Sequence, residues 1–122
     1  MSWVLAIAAG GVGALARYVA TGWIQRRLHT TLPWGTATVN LTGAAVLGFL
    51  AGLGTLSEPI MRVVALGFLG GYTTFSTWMV ESILLAEEGG PAGIRVGAVN
   101  TVVPLIAGIT VATIGFLLGQ WV

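Results

Sequence analysis

The stretch from Gly67 to Trp78 combines small, hydroxyl-bearing and aromatic residues inside a long apolar run. It reads Gly67-Phe68-Leu69-Gly70-Gly71-Tyr72-Thr73-Thr74-Phe75-Ser76-Thr77-Trp78. Lipid offers no hydrogen bonds, so a membrane helix carries free carbonyls and hydroxyls only where they face protein, water or an ion. We therefore expect this stretch to line a permeation path or a binding site at membrane depth.

Two kinds of ion ligand occur within this stretch. Gly70 and Gly71 disfavour a regular helix, so carbonyls near them are expected to be free to bind a small hard cation. Phe75 and Trp78 are spaced i,i+3 on a helix, and an aromatic ring edge carries a partial positive charge that can contact an anion. Packing alone is the simpler explanation for two aromatic residues on one helix face.

Polar residues in the other apolar stretches extend this pattern. Thr36 and Asn40 are spaced i,i+4, and their hydroxyl and amide groups could either donate to an anion or link helices. Arg17 lies within the first stretch, where it either reaches the headgroups or places a positive charge at a vestibule. Glu81 lies near the end of the third stretch on the face of Trp78 and is the second candidate for a vestibule charge.

These residues lie on an all-α membrane protein. Of its 122 residues, 56% are hydrophobic and 7% are charged, against about 25% charged in a soluble domain. A membrane-spanning helix needs about 20 mostly apolar residues. The sequence predicts a single four-helix transmembrane domain over residues 1–122, with its third helix broken near Gly70 and Gly71. The predicted spans are 3–24, 33–56, 60–85 and 94–121.

The composition also excludes several classes of function. The chain has no Cys, so it has no disulfide framework and no Cys nucleophile. Its net charge of +1 argues against a surface that binds nucleic acid. His29 is the only His, and no nucleophile–base pair, metal-ligand cluster or phosphate loop is present. We therefore predict that the chain is not an enzyme.

Four helices are too few to enclose a pore within one subunit, so a dimer is the simplest expected assembly. Four GxxxG pairs could form contacts either within the chain or between subunits. Three Arg residues lie on one predicted membrane side, which weakly favours that side as cytoplasmic, and one lies on the other. A weak bias fits either insertion in both orientations or one of a pair of subunits with opposed orientations. The three are Arg26, Arg27 and Arg95, and the one is Arg62.

Three motifs, in this order, resemble the Fluc (CrcB-type) family of fluoride channels, and the resemblance covers essentially the whole chain. They are Gly10-Gly11-x-Gly13-Ala14-x-x-Arg17-Tyr18, then Gly35-Thr36-x-x-Val39-Asn40-x-x-Gly43, then Gly67-Phe68-x-Gly70-Gly71-x-Thr73-Thr74-Phe75-Ser76-Thr77. The resemblance implies an antiparallel dual-topology dimer in the cell inner (plasma) membrane. It also implies two narrow pores and passive fluoride export that prevents fluoride toxicity.

The resemblance further implies roles for matched positions. A structural sodium ion at the dimer interface would be bound by the backbone carbonyls of Gly70 and Thr73. Arg17 and Glu81 would match the charged positions near the vestibules. The expected fluoride pathway comprises Asn40, Phe75, Ser76, Thr77, Trp78 and Thr36. Its partners would be fluoride, the lipid bilayer and a second subunit.

Two departures from the family pattern leave alternatives open. Trp78 stands where Phe is usual, and Pro104 stands where Ser is frequent, one turn after Asn100. Pro104 has no hydroxyl and removes the helical hydrogen bond to the Asn100 carbonyl. The chain is therefore expected to be either a homodimeric channel or one subunit of an obligate heterodimer with one altered pore.

Two further classes remain as alternatives to a fluoride channel. One is a small multidrug-type exporter, which generally needs a carboxylate in the membrane interior, and Glu81 is the only candidate. The other is a membrane assembly factor that transports nothing, which the hydroxyl-rich third stretch disfavours.

Overall fold

The computed structural model describes residues 1–122, and the chain is helical from end to end. The elements are α1 (Ser2–Leu28), α2 (Trp34–Leu53), α3 (Glu58–Met61), a π-helical segment (Arg62–Leu69), α4 (Gly70–Tyr72), α5 (Phe75–Glu88), a 3-10 turn (Gly90–Ala92) and α6 (Gly93–Gln120). Four helical runs are long and apolar enough to cross a membrane, as predicted from the sequence. These runs are Ser2–Leu28, Trp34–Leu53, Glu58–Glu88 and Gly90–Gln120.

The ends of the first two helices follow local signals. α1 runs past its predicted end, and its last turn carries Arg26 and Arg27, whose charges are favourable at a helix C-terminus. His29 then ends α1 in the left-handed conformation. α2 ends earlier than predicted because Gly54, with φ 60°, provides a left-handed cap.

The third span changes conformation along its length. The π-helical segment leads into α4, and Gly70 has helical dihedrals of φ −63° and ψ −36°. Thr73 and Thr74 are extended, with ψ angles of 159° and 125°, and α5 begins at the next residue. The sequence places the interruption near Gly70 and Gly71, but it lies just after them. Gly71 lies within α4 and packs closely against the α1 backbone at Gly10.

Glycine pairs pack the helices against one another within the chain. Gly48 and Gly52 of α2 lie against the backbone of α6 at Ala112 and Phe116. The remaining pairs pack likewise: Gly115 and Gly119 against α2, Gly67 and Gly71 against α1, and Gly93 and Gly97 against the end of α5. Because a side chain at these positions would meet backbone, all four GxxxG pairs are accounted for by packing inside one subunit.

Most of the surface is apolar and uncovered. Only 15 of 122 residues are buried, and Val39 is the largest side chain that is fully enclosed. Tryptophans at the two ends of α1 each lie beneath an arginine, with Arg62 4.3 Å from the Trp3 ring and Arg27 5.1 Å from the Trp23 ring. Such aromatic and cationic pairs are typical of the membrane–water interface, and the exposed apolar faces lie between them.

Candidate functional site

The extended residues of the third span are held by an amide side chain from α2. Asn40 donates from Nδ2 to the Thr74 carbonyl, and its Oδ1 accepts from the Thr74 N–H, both at 2.8 Å. The side chain therefore supplies the acceptor that the Thr74 N–H loses at the interruption, and it adds a donor to the Thr74 carbonyl, which is also the N-cap carbonyl of α5. Asn40 keeps one amide hydrogen for another acceptor, because its NH2 group has two.

The backbone carbonyls of Gly70 and Thr73 lose the donors that a continuous helix would supply. The N–H four residues after Gly70 belongs to Thr74 and donates to Asn40. The N–H four residues after Thr73 belongs to Thr77 and donates to the Thr74 hydroxyl, which caps α5. These two carbonyls are the ones predicted to bind a cation.

Arg17 reaches the same place from α1. Its Nη1 donates to the Thr73 carbonyl at 3.3 Å, and the residue is partly buried. The guanidinium thus lies at the interruption, where it stabilises a carbonyl that has no helical donor. A carbonyl oxygen has two lone pairs, so this contact leaves room for a second partner.

The two aromatic rings predicted for the pathway contact each other. The ring centroids of Phe75 and Trp78 are 5.9 Å apart and the rings are inclined at 88°, so the edge of one meets the face of the other. Phe75 is 69% exposed although it follows directly after the interruption.

Trp78 also belongs to a hydrogen-bond network that the sequence did not reveal. Its indole Nε1 donates to the Asn100 carbonyl at 2.6 Å. Asn100 Nδ2 donates to the Ser82 hydroxyl, which donates to the Trp78 carbonyl, each at 2.9 Å. Ser82 is buried. Two signals in the sequence pointed toward this network: a lone Asn in the apolar fourth span, and Pro104, which leaves the Asn100 carbonyl without its helical donor.

A groove of about 580 Å³ brings several predicted residues together. Its lining includes Asn40, Gly70, Thr73, Phe75 and Trp78, together with Pro104 and Gly108 of α6. No charged side chain lines it. Donors and ring edges therefore face a common space at membrane depth without a full charge among them.

A second cavity, of about 640 Å³, lies at the end of the bundle where α1 ends and α2 begins. Thr36 and Glu81 both line it, and the Thr36 hydroxyl donates to Glu81 Oε1 at 2.7 Å. Glu81 Oε2 is buried and has no hydrogen-bond partner. Thr36 and Glu81 are thus apart from the groove.

Ser76 and Thr77 lie in the first turn of α5 and line neither cavity. Both are exposed. The Thr77 hydroxyl accepts from the Thr74 hydroxyl at 3.0 Å, so it continues the polar chain that begins at the interruption.

Comparison with known proteins identifies relatives over nearly the whole chain. The family described as "CrcB-like protein, Camphor Resistance (CrcB)" matches residues 4–116. "Fluoride-specific ion channel FluC 2" of Mycobacterium tuberculosis (strain ATCC 25618 / H37Rv) is 42% identical over 98% of this chain and 89% of its own length. FluC 2 of Mycolicibacterium paratuberculosis is 44% identical over 98% of this chain and 95% of its own length. "Fluoride-specific ion channel FluC 1" of Rubrobacter xylanophilus is 37% identical over 96% of this chain and 92% of its own length.

The relatives are named as ion channels and align over nearly the whole chain. Together with four helices that can span a bilayer, this identifies a multi-pass membrane protein, and it confirms the expectation that the chain is not an enzyme. The resemblance found in the three sequence motifs is likewise confirmed. The chain belongs to the CrcB family of ion channel proteins.

Proposed function

We propose that this chain is a subunit of a fluoride-selective channel that lets fluoride leave the cell passively and so prevents its toxicity. The names of its relatives support this function. The single observation that carries it is the groove, in which an amide and two aromatic rings meet and no charged side chain is present. Conduction requires binding that is favourable enough for entry and weak enough for exit. Partial positive charges meet that requirement better than a buried cation.

Each predicted pathway residue has a role in this proposal. The Phe75 edge and the remaining Asn40 hydrogen contact the dehydrated anion in the groove. Ser76 and Thr77 supply hydroxyls along the adjacent face, and Thr36 lies nearer one membrane surface. Arg17 and Glu81 are the charges that set the electrostatic potential along the path, Arg17 at the interruption and Glu81 in the cavity at one end of the bundle. Trp78 provides the second ring.

The proposed assembly is an antiparallel, dual-topology dimer in the cell inner membrane. A single four-helix domain leaves the groove and the Ser76–Thr77 face open, although they contain polar groups at membrane depth. Lipid would leave those groups without partners, whereas a second subunit would enclose them. Two subunits related by a two-fold axis would form two equivalent pores.

A structural sodium ion fits the carbonyls at the interruption. Gly70 and Thr73 present backbone oxygens without helical donors, and hard cations prefer oxygen ligands. One chain supplies only two such carbonyls, so a second subunit is required to complete the ligand set. When bound, sodium would link the two subunits and hold the extended residues. Arg17 donates to the Thr73 carbonyl, so a positive charge lies beside the proposed site.

The alternative assembly is an obligate heterodimer in which this chain contributes one altered pore wall. Two observations favour keeping it: the Trp78 N–H is used on a backbone carbonyl, and Pro104 lines the groove. A multidrug-type exporter is not supported, because no carboxylate lines the groove.

Reconstitution into fluoride-loaded liposomes tests the function directly. Purified chain alone, and the chain mixed with a second CrcB-family subunit from the same organism, are compared with a fluoride electrode. Efflux from the chain alone would establish the homodimer, and efflux only from the mixture would establish the heterodimer. Vesicles that stay sealed to fluoride in both cases would overturn the proposal. A parallel dye-efflux assay is expected to show no transport.

A further inference from the structure

Pro104 in α6 leaves a backbone carbonyl without its helical donor, and Trp78 in α5 donates a hydrogen bond to that same carbonyl. Pro104 has no N–H, so the helix cannot supply the usual donor to the Asn100 carbonyl one turn earlier. The Trp78 indole of α5 donates to that same carbonyl at 2.6 Å. We propose that Trp78 is a positioning residue whose indole N–H replaces the backbone donor removed by Pro104 and thereby fixes the second ring of the fluoride pathway.

The surrounding contacts favour this assignment over simple packing. The carbonyl lies in the apolar fourth span, where lipid provides no donor. The indole bond closes a ring of three hydrogen bonds that runs from Trp78 through Asn100 and Ser82 back to the Trp78 carbonyl. A closed ring of this kind sets the orientation of the side chain and joins α5 to α6 at one defined register.

The network determines which part of Trp78 can meet an anion. Because the N–H is used on Asn100, the indole presents only its C–H edges and its face to the groove. The ring then meets Phe75 edge to face at 88°. Trp78 therefore offers the same weak C–H donors as a phenyl ring, and its stronger N–H donor is withheld from fluoride.

Trp78 and Pro104 are therefore interdependent, because both determine which donor reaches the Asn100 carbonyl. Replacement of Trp78 by Phe alone would remove the only side-chain donor to the Asn100 carbonyl. Replacement of Pro104 by Ala would restore a backbone N–H without adding a hydroxyl to the groove. With both changes, the backbone N–H of residue 104 would donate to the Asn100 carbonyl, and a phenyl ring would stand at position 78.

A double-mutant cycle measures this interdependence in the full chain. We compare Trp78→Phe, Pro104→Ala and the double variant with wild type. Trp78→Phe should lower fluoride efflux about tenfold or more, because a partly buried carbonyl in an apolar span is left without its side-chain donor. In the Pro104→Ala background the same change should alter efflux by no more than about twofold, since the two sites are coupled. Trp121→Phe, at an exposed chain end, is the matched control and should leave efflux unchanged.

Two readouts do not depend on fluoride transport, which distinguishes failure of this inference from failure of the proposed function. In ¹⁵N-labelled protein in nanodiscs, one indole N–H should show slow hydrogen exchange and a downfield proton shift, and Trp78→Phe should remove that signal. Thermal unfolding in detergent should show the same non-additivity between the two substitutions as the efflux measurement.

The outcomes separate cleanly. Rescue of Trp78→Phe by Pro104→Ala in unfolding, with a protected indole N–H, supports the inference even if no sample moves fluoride. Additive effects in the unfolding cycle would overturn it, because additivity means that the two residues do not share the carbonyl. A rapidly exchanging Trp78 indole, or a shift of that indole signal on addition of fluoride, would equally overturn it.

Discussion

At the scale of single residues, the exposed ring of Phe75 and the hydrogen-bonded amide of Asn40 have opposite arrangements at the interruption. Phe75 leaves most of its ring uncovered in the groove, although burying it would be favourable. Asn40 does the opposite and uses its amide on the backbone of Thr74. The first arrangement suits contact with an ion, and the second suits holding the site in shape.

Replacement of Phe75 by Ile should remove most fluoride efflux without loss of the fold. The aliphatic side chain has no ring edge, so we expect a decrease of about tenfold or more, from the size of edge interactions. Phe116→Ile on α6 is the matched control, since that ring is 40% exposed and lies outside the groove. Equal efflux from the two variants would show that ring edges do not carry the anion.

Replacement of Asn40 by Leu should destabilise the protein by about 1–3 kcal/mol, because it leaves the Thr74 N–H without an acceptor and removes a second hydrogen bond to the Thr74 carbonyl. Asn40→Asp keeps the acceptor for the Thr74 N–H and should have an intermediate effect. Unfolding in detergent measures both. Thr110→Val provides a control, since the exposed Thr110 hydroxyl only bonds back to Ile106 in its own helix. An Asn40→Leu variant as stable as the control would mean that the interruption does not need this side chain.

At the scale of helices, glycine makes possible the close approach that holds the bundle. α2 and α6 meet along Gly48 and Gly52 on one side and Gly115 and Gly119 on the other. Lipid gives no hydrophobic drive for this association, so van der Waals contact between backbones is the main source of stability.

Replacement of Gly48 by Ala should therefore cost about 1–3 kcal/mol, since the new Cβ would meet the backbone of Ala112 and force the helices apart. Gly11→Ala is the matched control, because an added Cβ at that position has no atom within 4 Å. Ala is the better helix former, so this control should be neutral or slightly stabilising. Similar losses for both variants would argue against tight packing of α2 on α6.

At the scale of the whole molecule, the membrane orientation decides between the two assemblies. The loop after α1 and the loop after α2 lie at opposite ends of the bundle, and the chain has no Cys of its own. Single cysteines introduced at exposed positions in these loops can therefore report orientation without interference.

Thr31→Cys and Thr55→Cys, both exposed, serve this purpose. In an antiparallel homodimer each site should react with an impermeant maleimide from both sides of the membrane, in equal parts. In a heterodimer of fixed orientation each site should react from one side only. Labelling of permeabilised vesicles gives the total reactive protein for comparison. Exclusive labelling from one side would contradict dual topology for this chain.

The number of spans and the lipid environment could be predicted from the sequence because both depend on local composition. Hydropathy over a window of residues decides whether a segment crosses a bilayer. Trp78 and Pro104 were visible in the sequence because they depart from the residues usual at those positions of the family pattern. Their identities, however, gave no indication that they were connected, because they lie on different helices.

The tertiary structure decided which polar groups have partners. A backbone carbonyl within lipid must find a donor, and that donor can come from any helix that passes close by. Asn40 of α2 bonds to Thr74, Arg17 of α1 bonds to Thr73, and the Trp78 indole bonds to α6. Composition alone determined that this protein belongs in a membrane. Only the packing of its helices determined where the interruption lies and how its freed groups are satisfied, because those contacts join residues distant in sequence.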